Sequence, residues 1–91
     1  MSEPINHYHA VKMRVVGSGN LQLRFYSLDE LYNQDLVPLV LTTTASRQPV
    51  VLANFMQERA SLEIKTTEID EWFRIGGIII YTKPVFASYP Q

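Results

Sequence analysis

Hydrophobic and polar positions alternate most clearly in two neighbouring runs. Val11, Met13 and Val15 are separated by Lys12 and Arg14, while Leu21, Leu23 and Phe25 are separated by Gln22 and Arg24, with Tyr26 following. A period of two sends successive side chains to opposite faces of an extended chain. Each run therefore reads as a strand with one buried and one solvated face. Between them Gly17-Ser18-Gly19-Asn20 supplies turn-forming residues, two of them glycines free to take positive φ. The pattern predicts a β-hairpin, with Lys12, Arg14, Arg24 and Tyr26 together on its outer face.

Downstream the signals are shorter. Ser27-Leu28-Asp29-Glu30 has the spacing of a capping box and predicts one or two helical turns before Asn33-Gln34-Asp35. Leu36 to Thr44 reads as a strand, since β-branched Thr42-Thr43-Thr44 favours extended backbone; Pro38 confines it to an edge or to the positions after the proline. Ala45 to Pro49 is a turn, and Val50-Val51-Leu52 resumes extended structure. The next stretch fits two patterns. Leu52, Met56, Ala60 and Ile64 lie four apart, as on a helix, whereas Leu62, Ile64 and Thr66 alternate as on a strand. The expectation is a loop or short helix to about Arg59, then a strand to Thr67. Thr67 to Glu71 is a charged turn. Trp72 to Ile75 opens a strand that Gly76-Gly77 breaks or bulges. Ile78-Ile79-Ile80-Tyr81-Thr82 is apolar without alternation, which predicts a strand covered on both faces.

The sum is an all-β domain, a small β-sandwich or barrel of six or seven short strands with at most one or two helical turns. A chain of 91 residues has room for one hydrophobic core. It is read as a single domain, 1–91, with an N-terminal arm over 1–9 and a proline- and aromatic-rich extension over 84–91.

Composition adds mostly exclusions. Eight basic and nine acidic residues give a formal charge of -1, so no global field draws in nucleic acid or anionic membrane. The absence of cysteine excludes disulfides, thiolate metal sites and cysteine nucleophiles together. No leader pattern opens the chain, and no apolar run approaches the ~20 residues of a membrane helix. The expected compartment is the cytoplasm at synthesis, with no membrane partner.

Candidate chemistry is sparse. His7 and His9, two residues apart, share a face of an extended chain, but two imidazoles do not complete a metal site and nothing designates a third ligand. Asp29, Glu30 and Asp35, like Glu68, Asp70 and Glu71, sit where turns are expected and lack the order of a calcium loop. No nucleophile elbow, phosphate loop or zinc-protease helix motif occurs. The chain is therefore read as a non-enzyme without cofactor, metal or small-molecule substrate. Lys12, Arg14, Arg24 and Tyr26 form the candidate grip for single-stranded nucleic acid, the second-ranked function, since aromatic and basic side chains interleaved on a sheet hold such strands. Aromatics in excess of what a small core can hide point instead to protein contact, with Tyr8, Trp72, Phe86 and Tyr89 as the contact residues.

The run Val15-Val16-Gly17-Ser18-Gly19-Asn20-Leu21, together with Glu63-Ile64-Lys65-Thr66-Thr67-Glu68-Ile69-Asp70-Glu71-Trp72-Phe73-Arg74-Ile75, resembles small β-rich virion proteins of tailed bacteriophages. The likeness covers about half of the chain and carries no catalytic or ligand motif. It implies a structural part of the particle, a capsid decoration or tail component. Such a part packs against copies of itself or against a larger shell or tail protein, and ends up in the virion.

Overall fold

A computed structural model describes residues 5–43 and 48–85. It is all-β: two antiparallel sheets pack face to face as a sandwich of seven strands. The first sheet has the order β5-β1-β7, built from β1 (Ile5–Ser18), β5 (Val50–Gln57) and β7 (Trp72–Val85). The second is centred on β2 (Asn20–Ser27), which pairs with β6 (Ala60–Thr66) along one edge and with β3 (Asn33–Asp35) and β4 (Leu39–Val40) along the other.

The alternation predicted from the sequence sets the core. Val11, Met13 and Val15 of β1 and Leu21, Leu23 and Phe25 of β2 are all buried, and they meet Leu36, Leu41, Val51 and Phe55 in one cluster. Phe25 stacks on Phe55 across the two sheets, ring centroids 5.7 Å apart and planes 8° apart, with Tyr8 tilted against both. Such apolar burial, at roughly 25 cal/mol per Å², is the main source of stability in a fold of this kind.

The predicted hairpin does not form. β1 and β2 are consecutive but unpaired; β1 is flanked by β5 and β7, and β2 by strands of the other sheet. The chain turns a corner at Gly19, whose φ of 87° suits glycine, and crosses from one sheet to the other. The corner is pinned from two sides. Leu41 N–H bonds to the Gly19 carbonyl at 2.8 Å, and Asn20 N–H donates to the Glu71 carboxylate at 3.0 Å. A side chain at Gly19 would run into that same carboxylate, its Cβ falling 1.5 Å from an oxygen.

Other expectations shift for local reasons. No helix occurs among the described residues, so none is long and apolar enough to cross a membrane. The Ser27–Glu30 capping box is replaced by a turn in which the buried Ser27 hydroxyl donates to Asp29 at 2.6 Å and accepts the Tyr32 N–H at 3.1 Å. Glu30 there adopts a φ of 61°. The strand expected over Leu36 to Thr44 shrinks to β4, while Asn33–Asp35, expected to end a helix, forms β3; Thr44 lies outside the described residues. β5 runs on through Asn54 to Gln57 where a loop or short helix was expected, because β1 pairs with it as far as Asn6. The expected arm is instead β1 from Ile5 onward, and Pro84 and Val85 belong to β7; the rest of the extension, like most of the Ala45–Pro49 turn, lies outside the described residues. The glycine bulge is present: pairing with β1 slips by one residue between Ile75 and Gly77.

Candidate functional site

β7 is the departure with consequences for function. Among the described residues it pairs with β1 alone, so one side of this 14-residue strand is a sheet edge. The apolar run expected to be covered on both faces is exposed on both: Ile78 is 43%, Ile79 53%, Ile80 38% and Tyr81 38% accessible. Its parity explains this. Ile78 and Ile80 lie opposite Met13 and Val11 and so face the sandwich interior, but they sit at its open margin; Ile79 and Tyr81 lie opposite Lys12 and Ala10 and face outward.

The outward face of the first sheet follows from the register. Across the sheet its rows read Met56, His7, Lys83; then Leu52, Ala10, Tyr81; then Val50, Lys12, Ile79. β1 and β7 continue it with Arg14 beside Gly77, Val16 beside Arg74, and Ser18 beside Trp72. Val50, Leu52 and Met56 form an aliphatic strip along β5, each more than half exposed. His7 and His9 do share this face, with rings 5.8 Å apart, but His7 Nε2 engages Asn54 Oδ1 at 2.9 Å and His9 leans toward Tyr81. No cluster of three metal-ligating side chains occurs among the described residues.

Charge is divided between the sheets. β1, β5 and β7 carry four cations, Lys12, Arg14, Arg74 and Lys83, and no Asp or Glu. Among the described residues none of the four makes an ion pair. The second sheet neutralises itself: Arg24 pairs with Asp35 and Lys65 with Glu63. The Asp35 hydrogen bond, then that of the Tyr26 hydroxyl, holds the Arg24 pKa above its ordinary value.

The sequence-predicted residues distribute accordingly. Lys12 and Arg14 face outward from the first sheet, whereas Arg24 and Tyr26 face outward from the second, with the core between the pairs. The expected four-residue nucleic-acid grip is thus split across opposite sides of the molecule, as the corner at Gly19 dictates. Tyr8 is half-buried and packs against Phe25 and Phe55. Trp72 opens β7 and is 46% exposed. Phe86 and Tyr89 lie outside the described residues. Arg74, Lys83, Ile79 and Tyr81 were not singled out as site residues, because their place on this face depends on β7 pairing with β1. The absence of acidic residues from the three segments is visible in the sequence, but it means nothing until they are known to be neighbours.

Glu71 is a structural residue of the same region. Its carboxylate accepts from the Thr67 hydroxyl at 2.8 Å and from the N–H groups of Thr67, Glu68 and Asn20. These bonds, the Thr67 hydroxyl foremost, hold its pKa below the usual carboxylate value. They tie the turn before β7 to the start of β2. No protein family, curated protein or solved structure matches the chain.

Proposed function

We propose that this chain is a structural protein that acts by protein–protein assembly, with β7 as its principal contact. The observation that carries the proposal is an uncharged, apolar, exposed edge. Residues 75–82 contain no charged side chain, and edge strands that are meant to stay single are normally blunted by charge, shortness or a covering element. Here Arg74, Lys83 and Pro84 lie outside that run, and the glycine bulge interrupts only its first residues.

The area available is of the right order. Trp72, Ile78, Ile79, Ile80, Tyr81 and Val85 are between 38% and 53% exposed. Scaled from aromatic side chains of about 150–250 Å², they offer on the order of 500 Å² per copy. Two copies meeting along β7 would then bury roughly 1,000 Å², where specific interfaces begin. An added strand also supplies main-chain hydrogen bonds. The sequence resemblance makes the particle of a tailed bacteriophage, as decoration or tail component, the setting we propose, with copies of this chain or a larger shell protein as partner.

Light scattering after size exclusion, across a concentration series, tests this. A discrete oligomer is expected for the native chain, and a monomer for Ile79→Lys, which sets a charge on the outward side of the edge strand, away from the core. A native chain that stays monomeric throughout and matches the variant would overturn self-assembly along β7.

A further inference from the structure

We propose that the outward face of β1 and β7 binds single-stranded nucleic acid, along a track formed by Trp72, Arg74, Arg14, Lys12, Tyr81 and Lys83. This does not rest on the assembly proposal, although the two surfaces share Trp72 and Tyr81, so that an oligonucleotide and a second copy would compete for β7. It also differs from the four-residue grip expected from the sequence, which the fold takes apart.

The order along the face is set by the pairing of β1 with β7. Trp72 lies beside Ser18, Arg74 beside Val16, then comes Arg14 itself beside Gly77, Lys12 beside Ile79, Tyr81 beside Ala10, and Lys83 beside His7. Arg74, Arg14 and Lys12 thus occupy three successive outward rows, roughly 6.6 Å apart at the rise of an extended strand. The track from residue 72 to 83 spans about 35 Å by the same rise, space for roughly ten nucleotides at a stacked spacing of ~3.4 Å. Trp72 and Tyr81 stand at either side of the three cationic rows, 46% and 38% exposed. The bulge shapes the middle: a groove of about 390 Å³ lies between Lys12, Arg14, Gly76 and Gly77. Arg14 lies over Gly76, where a Cβ would come within 3.2 Å of its Cδ, and a side chain at Gly77 would meet nothing within 4 Å.

Charge complementarity selects an anion. Four cations unpaired among the described residues and no acidic side chain on three strands form a local positive field, although the whole chain carries a formal charge of -1. The same charges oppose docking of two copies through this face. An acidic protein is the competing occupant. The exposed aromatics favour nucleic acid, because rings that bracket a row of cations give bases a surface to stack on while phosphates meet the cations. The aliphatic strip of β5 lies to one side of the track.

Fluorescence anisotropy with labelled 20-mer oligo(dT) and oligo(U) tests the proposal, and the two probes separate DNA from RNA. With up to four phosphates neutralised, log K should fall with log salt at a slope near -2.8, a loss of roughly 50-fold between 50 and 200 mM. Lys12→Gln with Arg14→Gln should halve that slope, leaving a loss of roughly sevenfold over the same range. Trp72→Ala should weaken binding by roughly tenfold or more at fixed salt with the slope kept. Lys65→Gln, on the opposite sheet, should change neither. Circular dichroism establishes that each variant is folded. No binding of either probe at 50 mM salt would overturn the proposal. So would binding that ignores the Lys12 and Arg14 changes. Displacement of the oligonucleotide by equimolar polyglutamate, with Trp72→Ala indifferent, would assign the face to an acidic protein instead.

Discussion

The stacked pair Phe25 and Phe55 gives the most direct test of the two-sheet arrangement. Phe25 comes from β2 in one sheet and Phe55 from β5 in the other, 1% and 5% exposed, with centroids 5.7 Å apart. Truncating either to alanine should cost about 3–5 kcal/mol, a large share of the roughly 5–14 kcal/mol expected for a domain of this length. Leucine is the better probe, at on the order of 1–2 kcal/mol for each single change. Because the rings touch, the double variant Phe25→Leu/Phe55→Leu should be less destabilised than the sum of the singles by about 0.5–1.5 kcal/mol. The assay is urea unfolding followed by circular dichroism, with one shared denaturant slope for the four proteins. Effects additive to within ~0.3 kcal/mol are the behaviour of distant sites. That result would mean β2 and β5 do not face each other, and the sandwich would be refuted.

Two further predictions concern the corner and its carboxylate. Gly19→Ala should destabilise the fold by about 1–2 kcal/mol from the left-handed backbone alone, and by more because its Cβ displaces the Glu71 carboxylate; an unchanged thermal midpoint would contradict the corner geometry. The Glu71 pKa is lowered in the folded protein, as is that of Asp29 through the Ser27 hydroxyl and the Leu31 N–H, so both groups contribute stability above their unfolded values and lose it as pH falls through the folded ones. The urea midpoint should therefore drop below about pH 4.3, and drop less in Glu71→Gln, which also starts lower at pH 7. A native midpoint that is flat down to pH 3 would refute the buttress.

What the sequence determined by itself was the extended state of the alternating segments and the side on which their residues stand. Alternation at Val11–Val15 and Leu21–Phe25 sorted inward from outward correctly, because a strand buried on one face has to repeat every two residues. Gly76-Gly77 announced the bulge, and the charged stretch Thr67–Glu71 announced the turn. Lys12 and Arg14 were legible as outward cations for the same reason. The tertiary structure decided which strands are neighbours. A short glycine-rich link between two strands permits a hairpin or a corner, and the choice fell to non-local pairing: β1 took β7 along one edge and β5 along residues 6–12 of the other, and nearer the corner the Met13 and Gly17 N–H groups bond to Pro49 and Thr42 instead of β2. That choice separated Arg24 and Tyr26 from Lys12 and Arg14, and brought Arg74 and Lys83 in their place. It also left the apolar run of β7 on an open margin, where local sequence alone read a buried strand. Alternation is a property of one strand and its own faces, whereas an edge, a charged face or a corner belongs to several strands at once, and only the closed fold brings them together.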